Sequence, residues 1–342
     1  MSGAAAAAEP RSSGGGGVGG IVRVASRYPE TGIFAVAIIV AIVFQILNGA
    51  FLTSEVPVLL ASTAQYGLLA VGEAMLMITG EIDLSAAKVY STVPFLAYWA
   101  WDAGLIWPVA ILVALLGGAI IGAINGFITV RLGVPSLIAT LGMLFLLNGI
   151  TLTASHSQPV GTPKGWVDTV LGSGQLHVGT LSGYAPFGWL LFAVFVLTVV
   201  LRRTRFGLHT IAVGSNMLAS REIGIKTSKT KILNFVIMGL LAGFAGIVES
   251  CASGSIDPSA GDNTLTLYAI AAAVIGGTSL FGGSGTIIGA LLGAFVVSSL
   301  NNGLPLVGAQ AGFSDIPLGL AIIAAMVLNI RLRALSQTSS RA

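Results

Sequence analysis

Residues 202 to 231, RRTRFGLHTIAVGSNMLASREIGIKTSKTK, form the one long polar segment in the middle of an otherwise apolar chain. Arg202, Arg203, Arg205, Arg221, Lys226, Lys229 and Lys231 stand there against a single acid, Glu222. With long apolar runs on both sides, the segment reads as a loop between membrane spans, and the positive-inside rule places it in the cytoplasm. Ser215 and Asn216 are types that cap helix N-termini, Met217 to Ile223 favours helix, and Gly224 suits the left-handed residue that ends one. A helix of about two turns is therefore expected between the spans. It either holds topology alone or acts as a short rigid lever on a cytosolic partner.

Composition agrees with a membrane protein. The 342 residues are 55% hydrophobic and only 8% charged, with mean hydropathy +0.93, whereas soluble chains are about a quarter charged. The net charge of +3 comes mostly from topology-setting Lys and Arg, so no nucleic-acid partner is implied. A single cysteine, Cys251, permits no internal disulfide, and His156, His177 and His209 are too scattered to suggest a metal site. The sequence contains no G-x-x-x-x-G-K-[ST] loop, so ATP-driven work needs a second protein.

Residues 1 to 30, rich in Ala, Gly and Ser, are expected to be a disordered cytoplasmic tail, and the apolar run from Thr31 an uncleaved anchor. At about 20 residues per crossing, spans are expected near 31–52, 58–80, 84–101, 107–130, 136–154, 185–201, 232–252, 264–280, 285–303 and 314–330. The transmembrane domain is thus 31–330, with a cytoplasmic loop at 201–231 and a cytoplasmic tail at 331–342. Of 16 basic residues only Lys88 and Lys164 depart from a topology with both termini inside. An even number of crossings is required, and eight remain open if short segments only dip. Residues 155–184 form the longest external segment, either a plain loop or a docking surface.

The two halves resemble each other. Gly80-Glu81-Ile82-Asp83-Leu84-Ser85-Ala86-Ala87 follows the second span, and Gly254-Ser255-Ile256-Asp257-Pro258-Ser259-Ala260-Gly261 follows the seventh. Gly118, Gly122 and Gly126 in the fourth span match Gly285, Gly289 and Gly293 in the ninth. Because five spans is an odd number, such halves are inverted in the membrane. The expected fold is an all-α integral membrane protein of about ten helices in two inverted five-helix halves, with short or broken helices.

Charges inside the bilayer cost several kcal/mol unless paired or wet, which draws attention to Glu81 and Asp83, flanked by Glu73 and Lys88. Lys88 is expected to pair with Glu81 or Glu73. Asp83 and Ser85 either line a solute path or cap the third span. Asn125, Asn148, Glu249 and Gln65, with Asn301 and Asn302, are further polar groups that line a path or bond between helices. Gly276 to Gly285, including Thr278 and Ser279, allow a tight turn or a gate hinge. Gly282-Gly283-Ser284-Gly285 also matches a serine-protease pattern, but no span holds a histidine to act as base.

These residues resemble a known family over roughly residues 55 to 330: the permease subunits of bacterial ATP-binding-cassette importers for monosaccharides, in the ribose, galactose and xylose branch. Gly80 to Ser85 is similar to its Gly-Gly-Ile-Asp-Leu-Ser, and Asn125-Gly126 with Pro135 and Ile138 to Gly142 to its next signature. Phe206-Gly207, Ala212 to Asn216 and Gly224-Ile225 resemble its coupling region, and Ile270 to Leu280, Gly282-Gly283 and Leu300 to Leu304 its C-terminal signature. The resemblance implies an inner-membrane protein that pairs with a second permease copy, a cytosolic ATPase that binds the ATP and Mg, and an extracytoplasmic sugar-binding protein. It makes Ser215, Asn216, Met217, Leu218, Arg221, Glu222, Gly224 and Ile225 the ATPase-coupling residues. Glu81 in place of a glycine, and Ala87-Lys88 in place of small uncharged residues, leave open whether the solute is an ordinary neutral sugar. A nucleoside, a signalling furanose or a branched-chain amino acid remain alternatives. So does ion-coupled secondary transport through Glu73, Asp83 and Glu249.

Overall fold

Each of the ten apolar segments is a helix in the computed structural model, which describes residues 30–178, 181–310, 312–313 and 315–339. They are α1 (Glu30–Leu47), α2 (Val56–Ile78), α3 (Ala86–Asp102), α4 (Trp107–Arg131), α5 (Ser136–Ala154), α6 (Ala185–Arg203), α9 (Thr227–Ser253), α10 (Asn263–Ile275), α11 (Ile287–Leu306) and α12 (Asp315–Ser339), with α7 (Arg205–Ser215) and α8 (Met217–Glu222) between α6 and α9. Among the described residues, seven are long and apolar enough to cross a membrane: α1, α2, α4, α5, α6, α9 and α11. The expected tail over residues 1 to 30 lies almost wholly outside the described residues, and α12 continues past residue 330 to Ser339.

Length explains why α3 and α10 fall short. At 17 and 13 residues they reach about 26 and 20 Å, against a hydrocarbon core of about 30 Å. Each follows a long helix, α2 or α9, and a non-helical stretch that begins at a left-handed glycine, Gly80 (φ 83) or Gly254 (φ 74). In both stretches an aspartate accepts a 2.8 Å bond from the backbone N–H two residues on, Asp83 from Ser85 and Asp257 from Ser259. The matched octapeptides therefore share this aspartate turn, though only the second also pairs as a strand, at Ser255–Ile256.

Glycines bring helices into backbone contact at two crossings. Helix α4 crosses α9 where glycines let the backbones touch: a Cβ on Gly122 would overlap the Phe235 carbonyl, one on Gly118 would lie 2.8 Å from the Gly239 carbonyl, and one on Gly126 2.9 Å from Ile232 Cα. Helix α11 meets α10 as closely, Gly289 and Gly293 lying against the Gly276 and Ala272 carbonyls. Helices α3 and α9 form one shared core with α2 and α10, including Met75, Leu76, Tyr90, Val93, Phe235, Met238 and Ala272. The faces of α4, α5 and α6 that carry Leu116, Ile120, Phe145 and Phe195 remain exposed, as lipid-facing or subunit-facing surfaces are.

Two sequence expectations change. Residues 202–231 are not one loop with a single helix: α6 runs through Arg203, Thr204 caps α7 by accepting from Gly207 N at 3.2 Å, and α9 starts already at Thr227. The segment 155–184 is not purely irregular, because β1 (Val160–Gly161) pairs with β4 (Ser255–Ile256) and β2 (Gln175–Val178) with β3 (Leu181–Tyr184), both antiparallel.

Candidate functional site

At one end of the bundle, which also carries Arg131 and Lys231, the chain turns into an elbow. Asn216 caps α8 by accepting from Ala219 N at 3.0 Å, and Gly224 (φ 85) closes it with its N–H on the Arg221 carbonyl at 3.0 Å. Every expected coupling residue lies on this elbow: Ser215 and Asn216 lead into it, Met217, Leu218, Arg221 and Glu222 form it, and Gly224 and Ile225 leave it. Met217, Leu218 and Ile223 are 38%, 69% and 76% exposed at an end otherwise rich in basic side chains. Such an apolar patch on a polar surface marks a protein or membrane contact.

The elbow is wedged into the core. Gly214 sits against the Ile78 carbonyl at the end of α2, where no side chain fits, and Gly283 N–H donates to that same carbonyl at 2.9 Å. Ser215 Oγ reaches the Gly283 carbonyl at 3.4 Å. Thr278 and Ser279, both buried, therefore belong to a turn that the elbow touches, since Ser279 N–H donates to the Ser284 carbonyl at 3.0 Å.

One step into the core lies the break between α2 and α3. Asp83 accepts from Ser85 N–H at 2.8 Å, Ser85 Oγ at 2.6 Å and Asn125 Nδ2 at 3.3 Å, and all three residues are buried. Leu84 N–H donates to Thr140 Oγ1 at 3.0 Å and Ala87 N–H to Thr266 Oγ1 at 3.0 Å. Asp83 thus holds the turn that leads into α3 through Ser85, while the helix itself has no side-chain cap. Glu81 does not pair with Lys88: its carboxylate meets Lys231 Nζ at 2.5 Å. Among the described residues Lys88 has no ion-pair partner.

Burial makes the Asp83 cluster costly to disturb. Asp83→Ala leaves the Ser85 N–H and hydroxyl buried without their acceptor, while Asn125 keeps its 2.9 Å bond to Ser85 Oγ, for a loss of about 2–3 kcal/mol. Asp257→Ala, at an exposed position, is expected to stay within about 0.5 kcal/mol. Thermal unfolding of the detergent-purified chain checks this; equal effects would show that the twin turns are equally loaded.

Toward the opposite end a cavity of about 280 Å³ opens beside the second non-helical stretch. Gln65, Tyr90, Ser91, Glu249, Ser253 and Asp257 line it, with Gln65 Nε2 donating to Tyr90 Oη at 2.8 Å. Volume and lining suit a small polyhydroxylated molecule better than an apolar one. Of the path residues expected from sequence, Glu249 is here, while Glu81, Asp83, Ser85 and Asn125 surround the break. Asn302 instead bonds Ser62 Oγ at 2.7 Å in the seam between α2 and α11. Asn301 is its neighbour, beside Tyr66 and Tyr268. Asn148 is half-buried on α5, next to an apolar groove lined by Phe145, Leu146 and Gly149, and is not brought to the others. Tyr90 and Lys231 were not singled out for the site, because an aromatic in an apolar run and a lysine in a basic loop carry no local signal.

Comparison with known proteins gives consistent relatives. Residues 55–328 match the family described as branched-chain amino acid transport system / permease component. The chain is 38% identical to the xylose/arabinose import permease protein XylH of Sulfolobus acidocaldarius over 90% of this chain and 86% of that one. It is 34% identical to the ribose import permease protein RbsC of Escherichia coli, over 88% and 93%. It is likewise 34% identical to the autoinducer 2 import system permease protein LsrC of Photorhabdus luminescens, over 78% of each chain. No solved structure matches the chain significantly.

Proposed function

The chain belongs to the family of transport-system permease components, and from that premise we propose that it forms half of the pore of a binding-protein-dependent sugar importer driven by separate ATPase subunits. The observation that carries this reading is the elbow: a capped two-turn helix exposing Leu218 and Ile223, wedged through Gly214 against the end of α2. A chain without a phosphate-binding loop has use for such a surface only if another protein supplies ATP hydrolysis. ATP and Mg belong to that partner.

The direction follows from charge. Arg131, Arg202, Arg203 and Lys231 gather at the elbow end, and Glu30 at the start of α1 pairs with Arg202 there; the positive-inside rule then makes this end cytoplasmic. The start of α1 lies on that side, the cavity at Glu249 opens toward the outside, and the β1–β4 pair lies where an extracytoplasmic binding protein docks. A second copy completes the pore against the exposed faces of α4 and α5. The transmembrane domain is residues 31–330, with 201–231 as its cytoplasmic coupling segment.

The cavity favours a pentose or furanose-sized polyol. Hydroxyls, an amide and carboxylates line it beside Pro94, Ile256 and Ala260, and no lining residue is basic, whereas an amino acid needs a cation for its carboxylate. Relatives named for xylose and arabinose, ribose and autoinducer 2 fall in that size class. Purification of the tagged chain from its native membranes is expected to bring down an ATPase and a solute-binding protein whose melting temperature rises with D-xylose or D-ribose. Recovery of the chain without an ATPase would refute the reading.

Gly224→Pro supplies a sharper check. Proline fixes φ near −65° and lacks the N–H, whereas Gly224 has φ 85 and donates to Arg221. The variant is expected to insert normally and to hydrolyse ATP in the assembled complex, with uptake reduced about tenfold or more. Unchanged uptake in vesicles would remove the lever role.

A further inference from the structure

A line of polar contacts leads from the elbow to the broken helix. Arg221 Nε on α8 donates to Thr227 Oγ1, the first residue of α9, at 3.1 Å. One turn further along α9, Lys231 Nζ meets Glu81 at 2.5 Å, with side chains only 14% and 13% exposed. Glu81 sits two residues before Asp83, whose carboxylate holds Ser85 and Asn125. On the same helix Asn234 Nδ2 donates to Thr210 Oγ1 on α7 at 3.1 Å, so both elbow helices are tied to the base of α9.

Resting on the function proposed above, we propose that the Glu81–Lys231 ion pair is a positioning latch that couples movement of the elbow to the break between α2 and α3. The reasoning is energetic and geometric. A charge on a largely buried turn is costly without its partner, so the pair is strong while its geometry is good and unfavourable once the partners separate. That steepness gives two discrete arrangements, engaged and open, which is what transmission between distant sites requires. The topology rule asks only for a basic residue near Lys231; it does not ask for an acid in the break. Among the described residues, the one side-chain contact that holds Glu81 in this largely buried turn is its carboxylate's bond to Lys231 Nζ. Meanwhile the backbone just after it is anchored: Ile82 N–H donates to Ser136 Oγ at 3.4 Å and Leu84 N–H to Thr140 Oγ1 at 3.0 Å, both on α5. A pull on Glu81 is thus delivered to α5 and Asn125 together. Helix α9 carries the same displacement along its 27 residues to Glu249 at the cavity.

The test uses the complete transporter, this chain with its co-purified ATPase and binding protein, in proteoliposomes. Two quantities are read: the stimulation of ATP hydrolysis by the binding protein added on the outside, which needs no knowledge of the solute, and uptake of radiolabelled D-ribose and D-xylose. Glu81→Gln and Lys231→Met are each expected to reduce the stimulation about five- to tenfold, while unstimulated hydrolysis stays at the wild-type rate. The exchange Glu81→Lys with Lys231→Glu is expected to restore most of it. A purely structural pair would lower basal hydrolysis, assembly and melting temperature together, and that outcome overturns the proposal. Wild-type stimulation in both single variants overturns it equally. If the wild-type complex itself shows neither stimulation nor ATP-dependent uptake, the importer reading fails rather than the latch.

Discussion

Gly122→Val is expected to abolish the folded chain. The Cβ it introduces would overlap the Phe235 carbonyl and lie 3.1 Å from Val236 Cα, and backbone cannot swing aside as a flexible side chain can. Helices α4 and α9 must separate, which also releases the contacts at Gly118 and Gly126. Overpacking of this kind costs about 3 kcal/mol. Here the lost close approach adds to it, because in lipid such approach is itself a main source of helix association. Detergent extracts of the variant are expected to lose the monodisperse peak in size-exclusion chromatography. Gly32→Val in α1, where a Cβ meets nothing within 4 Å, is expected to keep it. A stable Gly122→Val protein would mean that the crossing is looser than described.

The second large effect belongs to the elbow. Leu218 and Ile223 are the most exposed apolar side chains of the coupling segment, so placing aspartates there leaves the chain's own core untouched. At a docking surface each such residue contributes about 2 kcal/mol or more, a factor of about 30 in affinity. The double change Leu218→Asp, Ile223→Asp is therefore expected to remove the ATPase from the purified complex while the melting temperature of the chain itself stays within error. Retention of the ATPase at wild-type stoichiometry would show that α8 is not its seat.

Much of this architecture is legible in the residues before any coordinates. The ten apolar runs became ten helices because backbone groups in lipid must be satisfied within their own segment. The matched Gly-x-Ile-Asp octapeptides became matched turns because Asp83 and Asp257 each reach an N–H two residues on, a contact that needs only local sequence. Asn216 and Gly224 bracketed α8 for the same reason. Helix α7 was hidden, since its basic and small residues read as loop; the Thr204 cap three residues ahead of Gly207 was the available signal.

What could not be read was partnership across the fold. Glu81 and Lys231 are 150 residues apart, and they meet only because α9 begins beside the break that follows α2. Lys88, seven residues from Glu81 and the nearest lysine in sequence, makes no ion pair among the described residues. Sharing a polar character likewise grouped Asn148, Asn302 and Glu249, which the fold distributes over a lipid-side or subunit-side helix, an interhelical seam and a cavity.

The most direct test of the central claim is uptake of D-ribose and D-xylose into proteoliposomes containing the chain with and without its ATPase and binding protein. Concentrative uptake is predicted only when all components and ATP are present, abolished by vanadate and indifferent to an uncoupler. Concentrative uptake by the chain alone, collapsed by the uncoupler, would contradict the account.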